Sequence, residues 1–240
     1  MSRTPRVFVT TPLATGTRLE LEGEAAAHLG RVLRVRPGEP VVLFDGSGPE
    51  FAAEVVAATR RSVELAIGER SEISRESALE LVLLQGVCRN ERMDWVVRKA
   101  TELGVSAIRP VLATRSVVKL DDQRAASRLE HWQAIVTSAC EQCGRSALPV
   151  IHPPISLRDW LPVEADLKLV LHPVAAPLTS HARPQTLAFL IGPEGGLSES
   201  EVEQAANQGF QPARLGPRVL RTETAPVVAL SVAQQLWGDF

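Results

Sequence analysis

The sequence predicts an α/β protein whose larger part carries a mostly parallel sheet, preceded by a small β-barrel. Three observations predict it. Over the first seventy or so residues, short apolar runs alternate with turn residues. From Leu79 onward, strand-like runs alternate with stretches whose apolar residues recur at helical spacing. Between the two lies a polar, unpatterned segment, residues 69–77, read as a linker. A chain of 240 residues can form two domains with a core each. The expected division is 1–72 and 78–240.

In the first part, Val41–Phe44, Phe51–Ala57 and Val63–Ile67 are the expected strands, with turns at Arg36-Pro37-Gly38 and Asp45-Gly46. In the second, Leu79–Leu84 is short, apolar and suited to a buried strand. Met93, Val96, Val97, Ala100 and Leu103 then mark a helix that Gly104 should stop. A strand is expected at Ala107–Leu112. Ala125, Leu129, Trp132, Val136, Ala139 and Cys143 form a second helical stripe ending at Gly144. Strands at Leu167–Leu171 and Leu187–Ile191 complete an alternating series, the pattern of a parallel sheet flanked by helices.

Composition narrows the function. No run approaches the roughly 18 apolar residues of a membrane span. The opening MSRTPRVFVT lacks the apolar stretch of a secretory signal, so the cytoplasm is the expected compartment. Three cysteines, an odd number, suit a reducing environment. Cys140 and Cys143 have the spacing of a metal or redox pair. A structural zinc needs four ligands, and only Cys88 remains, so no metal is expected. The formal net charge of -2 argues against indiscriminate nucleic-acid binding. Locally the balance differs: residues 85–128 carry nine Lys or Arg against five Asp or Glu, and Gln211 to Thr222 holds Arg214, Arg218 and Arg221 without an acid.

Two runs carry the chemistry. Leu187–Ile191 leads into Gly192-Pro-Glu-Gly-Gly196, and Ser198 with Glu201 makes a capping-box pattern for a following helix. A strand, a glycine-rich loop and a capped helix let backbone approach a ligand beyond the carboxyl end of the strand. The loop is neither a dinucleotide fingerprint nor a Walker A, since no Gly-Lys-Ser/Thr follows. The second run is Arg214-Leu-Gly-Pro-Arg-Val-Leu-Arg-Thr-Glu-Thr-Ala-Pro226, ahead of a buried helix over Val227–Trp237, with Thr224 read as its N-cap.

Together these runs resemble the C-terminal signature of the RsmE family of SPOUT methyltransferases. Further matches lie upstream at Lys99-Ala-Thr-Glu-Leu-Gly-Val105, Arg115-Ser116, Trp132-Gln-Ala-Ile135 and Ala139-Cys-Glu-Gln-Cys-Gly-Arg145. Arg3-Thr-Pro-Arg-Val-Phe8 and His28-Leu-Gly-Arg-Val-Leu-Arg34 resemble the opening of the family's PUA-like domain. The resemblance covers nearly the whole chain. It implies a PUA-like RNA-binding barrel and a SPOUT domain with a trefoil knot. It also implies a homodimer, the cofactor S-adenosyl-L-methionine, and methylation of N3 of a uridine in 16S ribosomal RNA. The intact GPEGG and LRTETA runs favour an enzyme over a non-catalytic ribosome-assembly factor of the same fold.

The cofactor cradle carried over by the resemblance comprises Leu171 and His172, then Ile191, Gly192, Pro193, Glu194, Gly195 and Gly196. Leu215, Gly216, Leu220, Thr222, Thr224 and Ala225 complete it. The uracil imide is protonated at neutral pH, so catalysis must remove that proton or stabilise the anion. A guanidinium suits the second task. Arg221 is the first candidate for it and Arg6 the second; no general base stands out. RNA contacts are expected from Arg6, His28, Arg31 and Arg34 on the barrel, with Val32-Leu33 as a buried anchor between the last two. Arg115, Gln142 and Arg145 are expected to add contacts nearer the reaction.

Overall fold

The computed structural model describes residues 4–59, 61–118, 121–159 and 162–240; Arg3 of the opening motif lies outside them. The chain forms two compact units, Met1–Glu76 with Cys140–Leu148, and Ser77–Ala139 with Pro149–Phe240.

The first unit is a five-stranded sheet of β1 (Arg6–Phe8), β2 (Arg18–Leu21), β3 (Pro40–Phe44), β4 (Glu50–Ala58) and β5 (Val63–Ser71), in the order β1-β3-β4-β5-β2. All pairs are antiparallel except β1 with β3. Phe51, Ala53 and Val55 of β4 and Val63, Leu65 and Ile67 of β5 alternate inward, as a half-buried sheet requires, and join Val7, Leu29 and Leu43 in one core. Register shifts in the β4–β5 ladder bend the sheet. The expected linker begins later than its polarity suggests, because β5 runs on to Ser71. After a short helix α1 (Gly23–Ala27), residues His28–Leu33 make a turn of π-helix that ends with Arg34 in the left-handed region at φ 55°.

A buried charge cluster belongs to this unit. Glu50, 8% exposed, accepts from Arg6, from Arg75 Nη1 at 3.1 Å and from Ser146 Oγ at 3.3 Å. Arg6 Nη2 also donates to Ser146 Oγ at 2.9 Å and to the Arg145 carbonyl at 3.2 Å, and its guanidinium lies 5.1 Å from the Phe44 ring. Burial works to raise the Glu50 pKa, but hydrogen bonds and charge from Arg6 and then Arg75 prevail and hold it below the usual value.

The second unit is a parallel sheet of β6 (Glu80–Gly86), β7 (Ala107–Leu112), β8 (Val150–Ile151), β9 (Ile155–Ser156), β10 (Leu167–Pro177), β11 (Thr186–Ile191) and β12 (Gln211–Arg214). Its order is β12-β10-β11-β6-β7-β8, with β9 also on β7. Strands buried on both faces explain the unbroken apolar runs: Leu81, Val82, Leu83 and Leu84 are all buried. The helices are α2 (Asn90–Glu102), α3 (Asp122–Cys143), α4 (Glu199–Asn207) and α5 (Thr224–Trp237). Met93, Val96, Val97 and Ala100 bury one face of α2, and Trp132 is core at 1% exposure. No helix among the described residues is long and apolar enough to cross a membrane.

A depressed carboxyl pKa makes Glu50's contribution present above the unfolded value of about 4.3 and lost as pH falls through the folded value. Glu50→Gln removes the charge that compensates buried Arg6, so it should cost about 3–5 kcal/mol at neutral pH. Urea unfolding of both proteins checks this, and the gap between them should narrow below about pH 4.

Candidate functional site

Parallel sheets of this kind hold ligands outside the carboxyl ends of their strands, where the chain order reverses. Here β11 neighbours β10 on one side and β6 on the other, and a cavity of about 970 Å³ is lined by Leu171 and His172 of β10 and Ile191 at the end of β11. That is near the top of the roughly 300–1,000 Å³ typical of small-molecule sites.

Three stretches of chain meet there. β6 ends in Gln85-Gly86, β11 gives way to Gly192-Pro193, and Thr222 stands just before α5. Gln85 Nε2 donates to Thr222 Oγ1 at 3.2 Å, and Thr222 Oγ1 donates to the Gly192 carbonyl at 2.8 Å. Gln85 and Thr222 are 0% and 7% exposed, so neither hydroxyl nor amide could be replaced cheaply. A Cβ at Gly86 would lie 2.3 Å from the Pro193 nitrogen, so no other residue permits this approach. Gly195 has the same character: a Cβ there would stand 2.8 Å from the Arg115 carbonyl.

The far end of the loop is pinned by the capping box of α4. Ser198 N donates to Glu201 Oε2 at 2.7 Å, and Glu201 N donates back to Ser198 Oγ at 3.3 Å. Glu201 Oε1 accepts from Thr114 N at 2.7 Å, joining the loop after β7 to the same anchor. Burial raises the Glu201 pKa, yet the bonds from Ser198 and Thr114 outweigh it and leave the carboxyl below its usual range.

On the opposite wall, β10 falls out of register with β12 between Leu171 and Ala176, opening the ladder where Leu171 and His172 line the cavity. Of the other expected residues, Ile191 to Glu194, Gly196, Leu215, Gly216, Leu220, Thr222 and Ala225 line it too. Gly195 and Thr224, both expected in the cradle, do not line it. Gly195 is taken up by its contact with Arg115. Thr224 is the first residue of α5, whose N-cap is Glu223 and not Thr224.

Arg221 lines the cavity and is exposed, and its side chain makes no hydrogen bond or ion pair among the described residues. Arg92, Arg115, Arg214 and Arg218 line it as well, opposed by Glu194, Glu199, Glu203 and Glu223. Arg92 spans two of these acids, with Nη1 at 3.1 Å from Glu194 Oε1 and Nε at 3.9 Å from Glu223 Oε1. Arg115 Nη1 donates to the Leu197 carbonyl at 3.3 Å. The sequence reading missed Gln85, Gly86 and Arg92, whereas Glu223 lies within the expected run before α5. A polar residue and a glycine ending an apolar strand were the available signal for the first two.

Some expectations are corrected. Arg6, proposed as a charge stabiliser and RNA contact, belongs to the first unit and is only 7% exposed, its fork committed to Glu50, Ser146 and the Arg145 carbonyl. Arg145 is equally buried, with Nε 2.9 Å from Glu76 Oε2. Neither presents a free guanidinium to RNA. Val32 and Leu33, expected as a buried anchor, are 68% and 44% exposed because the π-helical turn points them outward. His28, Arg31, Arg34 and Gln142 are exposed. The Cys140 thiol is inert, pushed up to about 12 by burial.

Comparison with known proteins adds to this geometry. An RNA methyltransferase domain model matches residues 75–234, and an RNA methyltransferase PUA domain model matches residues 21–68. The ribosomal RNA small subunit methyltransferase E of Bacillus subtilis is 33% identical over 88% of this chain and 87% of its own length. Its namesake from Buchnera aphidicola subsp. Schizaphis graminum is 31% identical over 99% of this chain and 98% of its own. A crystal structure of the same enzyme from Neisseria gonorrhoeae, bound to S-adenosyl methionine, superposes with a TM-score of 0.93. It is 40% identical and covers 99% of this chain and all of that one.

Gly86→Ala should lower stability by about 1–3 kcal/mol, since backbone and not a flexible side chain must yield. A thermal melt that matches the unaltered protein would show that the contact with Pro193 does not constrain the fold.

Proposed function

This chain belongs to the ribosomal RNA small subunit methyltransferase E family, and from that premise we propose that it methylates N3 of a uridine in 16S ribosomal RNA. It is an S-adenosylmethionine-dependent RNA methyltransferase. The observation that carries the reading is the cavity walled by β10 and the end of β11, with Arg221 in its wall. Its walls fit the cofactor. Leu171, Ile191, Leu215 and Leu220 offer apolar surface to an adenine ring, and Gly192 and Gly216 leave backbone amides and carbonyls accessible to its edge. When bound, the cofactor supplies an electrophilic methyl group on a sulfonium.

The chain's own residues do the rest. The cradle orients the methyl donor and excludes water around it. As the imide loses its proton, negative charge spreads onto the flanking carbonyl oxygens. Arg221, uncommitted and on the cavity wall, is placed to donate to one of them. The arginines around the mouth, Arg115, Arg214 and Arg218, favour the approach of phosphates. On the first unit, His28, Arg31 and Arg34 form an exposed basic turn suited to holding the RNA backbone.

The trefoil knot and the homodimer belong to the same proposal. The close passage of Gly86 by Pro193 supports the first. The exposed Val174, Val219 and Phe240 of the second unit, at 82%, 84% and 58%, support the second. The cytoplasm, where ribosomal subunits are made, is the proposed compartment.

Incubation with labelled S-adenosylmethionine and small ribosomal subunits lacking the modification, followed by digestion and mass spectrometry, should place label in 3-methyluridine; label in any other nucleoside discards the target. Arg221→Ala should reduce kcat by about 100- to 1,000-fold while cofactor Kd stays nearly unchanged. Equal losses in both would assign Arg221 to binding. Replacing Arg31 and Arg34 together by Ala should weaken RNA binding and reduce the slope of log K against log salt by about 2. An unchanged slope would remove this turn from the RNA face.

A further inference from the structure

Arg109, half-buried on β7, is a cation that the fold leaves without a countercharge. Among the described residues its side chain makes no hydrogen bond, ion pair or ring contact. Alternation along β7 puts it on the face of Ala107 and Val111, which belong to an apolar core with Leu84 and Leu157. Taking a guanidinium partly out of water without a partner is costly. Its Nε is shut off from solvent, whereas the two terminal nitrogens stay accessible. The residue stands at a notch in the sheet edge. β8 pairs with β7 at Ala107 and Ile108, β9 pairs with it at Val111 and Leu112, and Arg109 and Pro110 lie opposite the gap. His152-Pro153-Pro154 spans the gap, its backbone restricted by two prolines, and the His152 amide donates to the Ile108 carbonyl at 2.9 Å. Burial and then the charge of Arg109 hold the His152 imidazole below its usual pKa. At neutral pH the notch therefore carries one fixed cation beside one neutral ring.

We propose that Arg109 and His152 form a phosphate-binding notch that takes a phosphodiester of the RNA substrate. The inference rests on the function proposed above, and it extends the RNA path to an edge of the second unit outside the cavity wall. A guanidinium presents several donors in a rigid fork matched to phosphate oxygens. The imidazole adds a further donor from either its neutral or its protonated form. A phosphate also supplies the countercharge that the protein itself does not. Because Arg109 sits on a strand and His152 on a proline-bound loop, both are held before the ligand arrives. β7 lies three strands from β10, roughly 14 Å across the sheet at the usual strand spacing, a distance that a single RNA strand spans.

Proton NMR of the histidine rings in the full chain tests this, the His152 resonance being identified by its loss in His152→Gln. The probes are a short oligouridylate and inorganic phosphate. A bound anion opposes Arg109 and favours the protonated ring, so oligouridylate should raise the His152 titration midpoint by about 0.5–1 pH unit. Arg109→Met keeps the length and removes the charge. Its midpoint should stand higher without ligand and stay still when RNA is added. Filter binding of 16S ribosomal RNA over a range of salt should give a slope of log K against log salt smaller by about 1 in this variant. Arg109→Lys retains the charge and loses the fork, so it should keep the slope and bind severalfold more weakly, a second reading should the methionine form not fold. A midpoint that oligouridylate leaves unmoved, or moves equally in Arg109→Met, overturns the proposal. A response to inorganic phosphate alone overturns it too, since the notch would then serve a free phosphate and not RNA. Failure of the unaltered protein to bind 16S ribosomal RNA at all would count against the proposed function itself, whereas binding whose salt slope ignores residue 109 would count against this inference alone.

Discussion

Two stretches of main chain can lie in contact only where no side chain stands between them, and at the end of β6 none does. Gly86 receives Pro193 at a distance that a methyl group would forbid. Because the approach is possible, Thr222 can reach the Gly192 carbonyl and Gln85 can reach Thr222. The glycine-rich loop is then held at its start by these bonds and at its end by the capping box of α4. A loop fixed at both ends can present backbone polar groups to a ligand without ordering them at each encounter, which is where much of the cost of binding otherwise lies.

The same economy of polar groups governs the smaller unit by another route. Glu50 and Arg6 are both buried, and each would be strongly destabilising alone. They are tolerated because Arg75, Ser146 and the Arg145 carbonyl add further hydrogen bonds to the pair. The price is function at those positions: a guanidinium so engaged is not available to a substrate. This is why Arg6, a basic residue near the start of an RNA-binding module, serves the fold, while Arg31 and Arg34 on an exposed turn remain open to solvent.

The strands and helices that sequence periodicity marked are those whose burial pattern is regular. Ala107–Leu112 is a strand with the expected bounds, and α3 ends at Cys143 before Gly144 as its apolar stripe implied. The elements that escaped notice lack such a pattern. β12, Gln211–Arg214, buries only Ala213, and β1 is three residues long and buries only Val7. The π-helical turn escaped because its exposed Val32 and Leu33 look apolar in sequence, and apolarity alone cannot distinguish an anchor from a protrusion. In the site, glycine loops and the arginine-rich tract were visible as runs of neighbouring residues. Gln85, Gly86 and Arg92 were not, since their roles arise from segments brought together by the sheet order.

The composition of the smaller unit bears on how such proteins can be taken apart. Residues Cys140–Leu148 belong to it although more than sixty positions separate them from Glu76. They carry Ser146 and the Arg145 carbonyl to the Arg6–Glu50 pair, the Glu141 carboxylate to the Phe8 amide, and Ala147 to its bridges with Gly46 and Ser47. A polypeptide ending at Glu76 would therefore expose an ion pair and a strand amide that the whole chain covers. The gene cannot be cut once to release an intact N-terminal module, and recombination that shuffles such modules by a single crossover would leave this one incomplete.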